Sequence, residues 1–286
     1  MKYLTILVLM LSFSVIMCGT EPEKNTAPVI SSITANPSPV DVGVTCTLTA
    51  VATDTDGDDL TYTWSCDSGT LSSTTGISIE WTAPGTSGTY SITCTVSDGK
   101  TTDSKAVYIN VTRTVTDIDE NVYQIVQIGD QEWMVENLKV TRYRNGDAIP
   151  NVTDGSAWGG LSTGAYCTYY NNASNAAVYG HLYNWYAVDD SRGLAPEGWH
   201  VPTDEEWKEL EMYLGMSQSE ADTSGWRGTD EGDKLKETGT SHWGSPNAGA
   251  TNESGFTALP GGYRSISTGT FLNFYHIAIF WSSTES

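Results

Sequence analysis

The chain has 286 residues, with 14 Lys plus Arg against 35 Asp plus Glu and a formal net charge of −21. That length suits roughly two domains of ~150 residues each, and the acidic balance argues against nucleic acid and against adhesion to anionic lipid, both of which are held by Lys and Arg. Only 17% of residues are charged, while 10 Trp and 15 Tyr accompany abundant Gly, Ser and Thr, which reads as β-rich and extracellular and not as an acidic disordered tail.

Met1 and Lys2 precede an apolar run from Leu4 to Met17. Such a run is too short to span a bilayer comfortably and has the form of a secretory signal. It stops at Val15-Ile16-Met17-Cys18-Gly19, which resembles a bacterial lipoprotein signal. The resemblance implies a signal peptide over 1–18, lipidation of Cys18 and a protein anchored by lipid alone to the bacterial cell envelope, at the outer membrane. Met17 departs from the small residue usual before such a cysteine, and the alternative is an ordinary cleaved signal with an incidental Cys18. Residues 19–26, polar and containing Pro22, read as a tether.

From 27 to 113 short alternating runs are separated by turn residues, the pattern of an all-β sandwich. Val44, Cys46, Leu48, Ala50 and Ala52 share one parity, as do Leu60, Tyr62, Trp64 and Cys66, and then Tyr90, Ile92, Cys94 and Val96. Period two places each set on one strand face, toward the core. With the acidic turn of 54–60, Tyr62-Thr63-Trp64, Trp81-Thr82-Ala83-Pro84 and the segment 88–99, this stretch resembles an immunoglobulin-like domain of the polycystic-kidney-disease type. Cys46 opens its strand and Cys66 closes the next, so antiparallel pairing predicts both at one end of the sandwich and a Cys46–Cys66 disulfide. The antibody-like alternative, Cys46–Cys94, suits the limit of ~7 Å between Cα atoms less well, and Cys94 is expected to be a buried free thiol. Asp54, Asp56, Asp58 and Asp59 crowd a glycine bend. Clustered carboxylates suit calcium, although the same residues make an Asx turn facing water.

Thr112 to Thr116 reads as a connector. The second domain, 119–286, is α+β and loop-rich. Val122–Ile128 and Glu132–Leu138 flank Gly129-Asp130 as a hairpin. One helix is well signalled: Thr203 caps it, Glu206 completes a capping box, Trp207, Leu210, Glu211 and Leu214 follow, and Gly215 stops it. A weaker helical turn is expected over Asp233–Glu237.

The segments 123–138 (YQIVQIGDQEWMVENL), 180–185 (GHLYNW), 194–207 (LAPEGWHVPTDEEW), 234–237 (KLKE), 254–264 (SGFTALPGGYR) and 280–285 (FWSSTE) resemble, in sequence and order, the Fibrobacter succinogenes major paralogous domain. The resemblance implies a C-type-lectin-like fold, related also to formylglycine-generating enzymes, and carries no established reaction. Family members run on past Trp-Ser-Ser-Thr-Glu to a terminal Arg-Cys, so the domain is expected to be incomplete at its C-terminus and Cys167 to lack the partner that cysteine would give.

The inventory for catalysis is poor. There is no Gly-x-Ser-x-Gly, phosphate loop or dinucleotide fingerprint. His181, His200, His242 and His276 lack zinc spacing, and His181 and His200 read as hydrogen-bonded core. Paired carboxylates are only neighbours in sequence. An enzyme of the formylglycine-generating type would need a reactive cysteine, for which only Cys167 is available. What remains is the surplus of rings. Trp158, Tyr169, Tyr170, Trp226 and Trp243 fall in Gly-, Ser- and Asn-rich stretches and are the candidates for stacking on sugar, the competing role being to pin loops into the core. The expectation is a non-enzymatic envelope lipoprotein that binds polysaccharide or a surface protein, with no cofactor beyond calcium at the acidic turn. The alternative is a purely structural or protein-interaction module.

Overall fold

The computed structural model describes residues 24–284. Cys18, the signal segment and the tether up to residue 23 lie outside the described residues. Among the described residues no helix is long and apolar enough to cross a membrane. The chain forms two compact units, one built from the residues up to Ser38, Thr45–Thr82 and Tyr90–Ile109, the other from Pro39–Val44, Ala83–Thr89 and everything from Asn110 onward.

Eight strands make the sandwich. They are β1 (Val29–Asn36), β2 (Val40–Asp41), β3 (Thr45–Thr53), β4 (Thr61–Cys66), β5 (Thr70–Leu71), β6 (Ser78–Thr82), β7 (Gly88–Ser97) and β8 (Thr102–Thr112). One sheet runs β1-β3-β6-β5 and the other β2-β8-β7-β4. The alternation read from sequence places the core: Cys46, Leu48 and Ala50 are buried on β3 between outward threonines, as are Ile92, Cys94 and Val96 on β7. Val44 precedes the strand and is exposed. Trp64 and Trp81 anchor the interior, and each buried indole N–H finds a carbonyl, Gly76 O at 2.8 Å and Ser68 O at 2.9 Å. Gly69 allows the second approach. At φ +79 its chain passes so close to Trp81 that a Cβ would sit 2.5 Å from the indole nitrogen.

The expected Cys46–Cys66 disulfide is not formed; Cys46, Cys66, Cys94 and Cys167 are all free thiols. Cys46 lies in register with Trp81 across β3 and β6, while the Cys66 thiol points to Gly69 O at 4.0 Å. The Trp81 indole beside Cys46 and the Gly69 carbonyl beside Cys66, not a second sulfur, are therefore their neighbours. Cys94 is fully buried, as expected, and burial pushes its thiol up to about 11.

In the second unit the stretch expected to be a connector forms β9 (Thr114–Thr116), whose β-branched residues pair antiparallel with β10 (Val122–Ile128). The predicted hairpin follows, β10 with β11 (Gln131–Met134) across Gly129-Asp130, though its second strand stops four residues early. Short elements succeed it: α1 (Gly155–Gly159), β12 (Tyr166–Cys167), a 3-10 turn at Tyr169–Asn171, α2 (Ala173–Tyr179), β13 (Leu182–Tyr183) and α3 (Trp185–Val188). The signalled helix is α4 (Asp204–Tyr213), with both halves of the Thr203–Glu206 capping box in place. It packs on the hairpin, burying Leu210 and Leu214 with Ile128, Trp133 and Phe256. After α5 (Gln218–Ala221), α6 (Glu231–Leu235) begins two residues before the expected turn. Lys236 leaves it in extended conformation and bridges Ala258. The chain ends in β14 (Tyr263–Arg264) and β15 (Phe271–Leu272), an antiparallel pair.

Candidate functional site

The five ring candidates separate by exposure. Trp158, Tyr169 and Trp243 are 4%, 2% and 8% exposed, so none of them presents a face to a ligand. Each is a pin. Trp158 lies on α1 under the Arg264 guanidinium, and Trp243 donates its indole N–H to Ala258 O at 3.0 Å with Lys236 over its ring. Tyr169 stacks on Phe274 with centroids 4.2 Å apart and accepts the Phe274 N–H. Tyr170 and Trp226 are outward, 64% and 91% exposed. Trp226 stands apart from the other described rings, whereas Tyr170 does not.

Tyr170 belongs to a two-layer aromatic assembly. The lower layer is buried: Tyr169, the Arg264 side chain and Trp158, with half-buried Phe271 and Phe274 between. Arg264 is 6% exposed and has no carboxylate partner among the described residues. Its guanidinium donates to Gly269 O, Val152 O and Thr153 O at 2.9, 2.6 and 2.8 Å and lies over both Trp158 and Phe271. This side chain ties together two loops, around 152–153 and 265–270, that have little regular structure of their own. Tyr170 leans edge-on against Tyr169 and Phe271, while Tyr275 packs on Phe274 at 4.0 Å. Tyr275 is 47% exposed. Exposed against this layer are Tyr170, Leu272 and Tyr275, together with Asn171, Asn172 and Asn273.

The backbone under this layer is unusual. Tyr170, Asn171, Asn273 and Tyr275 all have φ between +53° and +66°. Asparagine tolerates the left-handed region, but for a bulky side chain it is an outlier costing roughly 1–2 kcal/mol. Gly262 permits the arrangement from below, since a Cβ there would meet Leu272 O at 2.5 Å and the Tyr169 ring at 2.7 Å. Phe271, Phe274 and Tyr275 were not among the sequence candidates; Phe-Leu-Asn-Phe-Tyr, with an Asn amid rings, was the signal available.

Asp54, Asp56 and Asp58 do come together, each offering an oxygen within 4.8 Å of the others, and Asp59 is not of the group. The Asx turn is formed, because Asp54 Oδ1 accepts the Asp56 and Asp58 N–H groups. Asp56 also takes the Thr26 N–H, and Lys100 lies 2.9 Å from Asp58. Three convergent carboxylates fit a hard cation in donor type, with Lys100 already supplying part of the positive charge.

Cys167 is fully buried, and burial raises its thiol despite the nearby Arg264. The two histidines expected in hydrogen-bonded core settings differ from that reading. His200 is exposed and pairs with Glu206 at 2.7 Å. His181 packs against Tyr166, its Nδ1 has no partner among the described residues, and burial lowers its pKa to about 4. His181 also lines a cavity of about 350 Å³ in the second unit, with Trp133, Trp207, Phe256, Phe280 and Trp281.

Fold and surface together define a two-module protein: an immunoglobulin-like sandwich, then a loop-rich α+β module that displays a braced aromatic face. The chain belongs to the Fibrobacter succinogenes major domain family, whose model matches residues 126–286. A bacterial Ig domain matches residues 25–112, in the order and class expected. No curated protein matches the chain. Among solved structures it is similar to a nucleoside hydrolase-related hypothetical protein from Saccharophagus degradans associated with carbohydrate metabolism (22% identity, 30% of this chain and 25% of that one, TM-score 0.25). It is also similar to human protocadherin-24 EC1-2 (25% identity, 32% and 48%, TM-score 0.23). A third is the Yersinia pseudotuberculosis adhesin InvE (16% identity, 53% and 49%, TM-score 0.23). The chain thus spans at most about half of each of these proteins, and likenesses this slight carry no argument about activity.

Proposed function

We propose that the protein is a non-catalytic binding module, exported and held at the bacterial outer membrane by lipid on Cys18, whose second domain grips a neutral polysaccharide through the Tyr170–Tyr275 face. One observation carries the reading: two exposed tyrosines are held in left-handed backbone over a buried ring layer. Strain of that kind is kept where the surroundings over-determine it, and it gathers at ligand-binding surfaces. Aromatic faces cover the C–H face of a pyranose, and exposed amides at Asn171, Asn172 and Asn273 suit its hydroxyls. Segments 170–172 and 272–275 contain no charged residue, which favours an uncharged glycan over an anionic one. The burial of Cys167 supports a reading without thiol chemistry.

The test is retention of the full chain on microcrystalline cellulose, chitin and insoluble xylan. Retention on at least one, lost in the Tyr170→Gly/Tyr275→Gly variant, is expected. Folded protein that passes all three unretained overturns the reading.

A further inference from the structure

The cavity carries a second inference, independent of the polysaccharide face. Its walls are aromatic: the Trp133 and Trp207 centroids lie 4.8 Å apart, Phe256 is 5.8 Å from Trp133, and Phe280 is 5.6 Å from Trp207. At about 350 Å³ it is in the size range of small-ligand sites. The charges around it have one sign. Glu132, Glu136 and Glu206 contribute to the lining, and neither lysine nor arginine does.

Two of those carboxylates are already engaged by cations or capping groups. Glu132 is bonded to Arg113, and Glu206 is bonded to His200 and caps α4 through Thr203. Glu136 differs. Half-buried, it accepts only the Gln124 N–H, at 2.7 Å, and among the described residues no lysine, arginine or histidine pairs with it. A half-buried glutamate without a counter-ion among the lining residues of an aromatic cavity is a setting in which ring quadrupoles and a formal charge both favour a cation. An anion would meet no lysine or arginine among the lining residues, and a neutral apolar body would gain ring contact without using Glu136.

We propose that this cavity binds the ammonium group of an organic cation, an alkylammonium on a small uncharged body, with the Trp133, Trp207 and Phe280 rings as the cage and Glu136 as the counter-charge. The segments that build it, 131–138, 179–183, 188–195, 199–207, 256–262 and 279–281, largely coincide with those that carry the family resemblance. None of them was a sequence candidate, because rings inside those segments read as core.

Choline and its uncharged carbon isostere 3,3-dimethylbutan-1-ol differ in charge at nearly constant shape, so the pair isolates the proposed term. Titration into the full chain, followed by tryptophan fluorescence and calorimetry, is expected to show saturable choline binding at least tenfold tighter than the alcohol, with none for hexanoate. Glu136→Gln is expected to weaken choline about tenfold while leaving the alcohol and the unfolding midpoint unchanged. Tyr170→Gly, outside the cavity, is expected to leave choline binding intact, so failure of the polysaccharide reading and failure here are told apart. Equal affinity for the alcohol, binding of hexanoate, indifference to Glu136→Gln in folded protein, or no choline binding overturns the proposal.

Discussion

Replacing Tyr170 and Tyr275 together by glycine separates what the aromatic face does for the fold from what it does for a ligand. Both residues have positive φ, 53° and 66°. Moving from a bulky residue to glycine there relieves roughly 1–2 kcal/mol at each position. Against that stand the edge contacts of half-exposed rings, ~0.5–1.5 kcal/mol per aromatic pair at full burial and less here, and the greater entropy of glycine in the unfolded chain, ~0.5–1 kcal/mol. The terms nearly cancel, so the double variant is expected to unfold in urea within about 1 kcal/mol of the parent. Binding behaves differently. Covering ~60–100 Å² of each ring is worth about 1.5–2.5 kcal/mol, and losing both weakens retention by about a hundredfold or more. Urea midpoints and depletion isotherms on whichever polysaccharide retains the parent measure the two quantities. A stability loss above about 2 kcal/mol would show that the rings serve the fold; unchanged retention would refute their contact with the glycan.

Arg264→Met removes the side-chain donor to Gly269 O and Val152 O and one of the two to Thr153 O, which the Asn171 amide also reaches. Buried carbonyls left without donors are expected to cost about 3–5 kcal/mol in all, with only partial recovery in Arg264→Lys, whose ammonium cannot reproduce the fork; a shift below 1 kcal/mol contradicts the bracing role. Because the four described cysteines are free, dithiothreitol is expected to leave the unfolding midpoint unchanged. A fall of several degrees would reveal a bridge, whose loss typically costs 2–5 kcal/mol. His181 gives a pH signature. Burial lowers its folded pKa to about 4, while the unfolded imidazole takes its proton near 6.5. The unfolded state therefore binds more protons between those values, so stability is full above about pH 6.5 and falls as pH drops toward 4, by about 3 kcal/mol over the window. His181→Gln is expected to flatten that slope. The Asp190 carboxyl, held down to about 2 chiefly by its hydrogen bonds from Arg192, acts only below the window.

How far the sequence was legible followed from how local each signal was. Alternation is a nearest-neighbour property, so the buried faces of β3 and β7 could be read residue by residue. The α4 boundary lay within one capping box. The disulfide was misread because antiparallel order places two strand ends together without revealing what fills the space between them, and Trp81 comes from a third strand. The ring candidates were misjudged for a related reason. Glycine- and serine-rich surroundings signal a loop, but they do not tell whether a loop faces outward: Trp158 is drawn in by Arg264, over 100 residues later, and Trp243 by the carbonyl of Ala258.

The same contrast bears on what the second domain does. A loop-rich unit needs rings to fix its loops, and buried Trp158, Tyr169 and Trp243 meet that need without backbone strain, none having positive φ. Tyr170 and Tyr275 incur that strain and still leave 64% and 47% of their surface in water. Packing alone gives no reason to keep them so, because glycine or asparagine would hold the same turns at lower cost. On the proposed reading, a ligand that covers those faces would supply the missing return, acting on rings already fixed in place by the layer beneath.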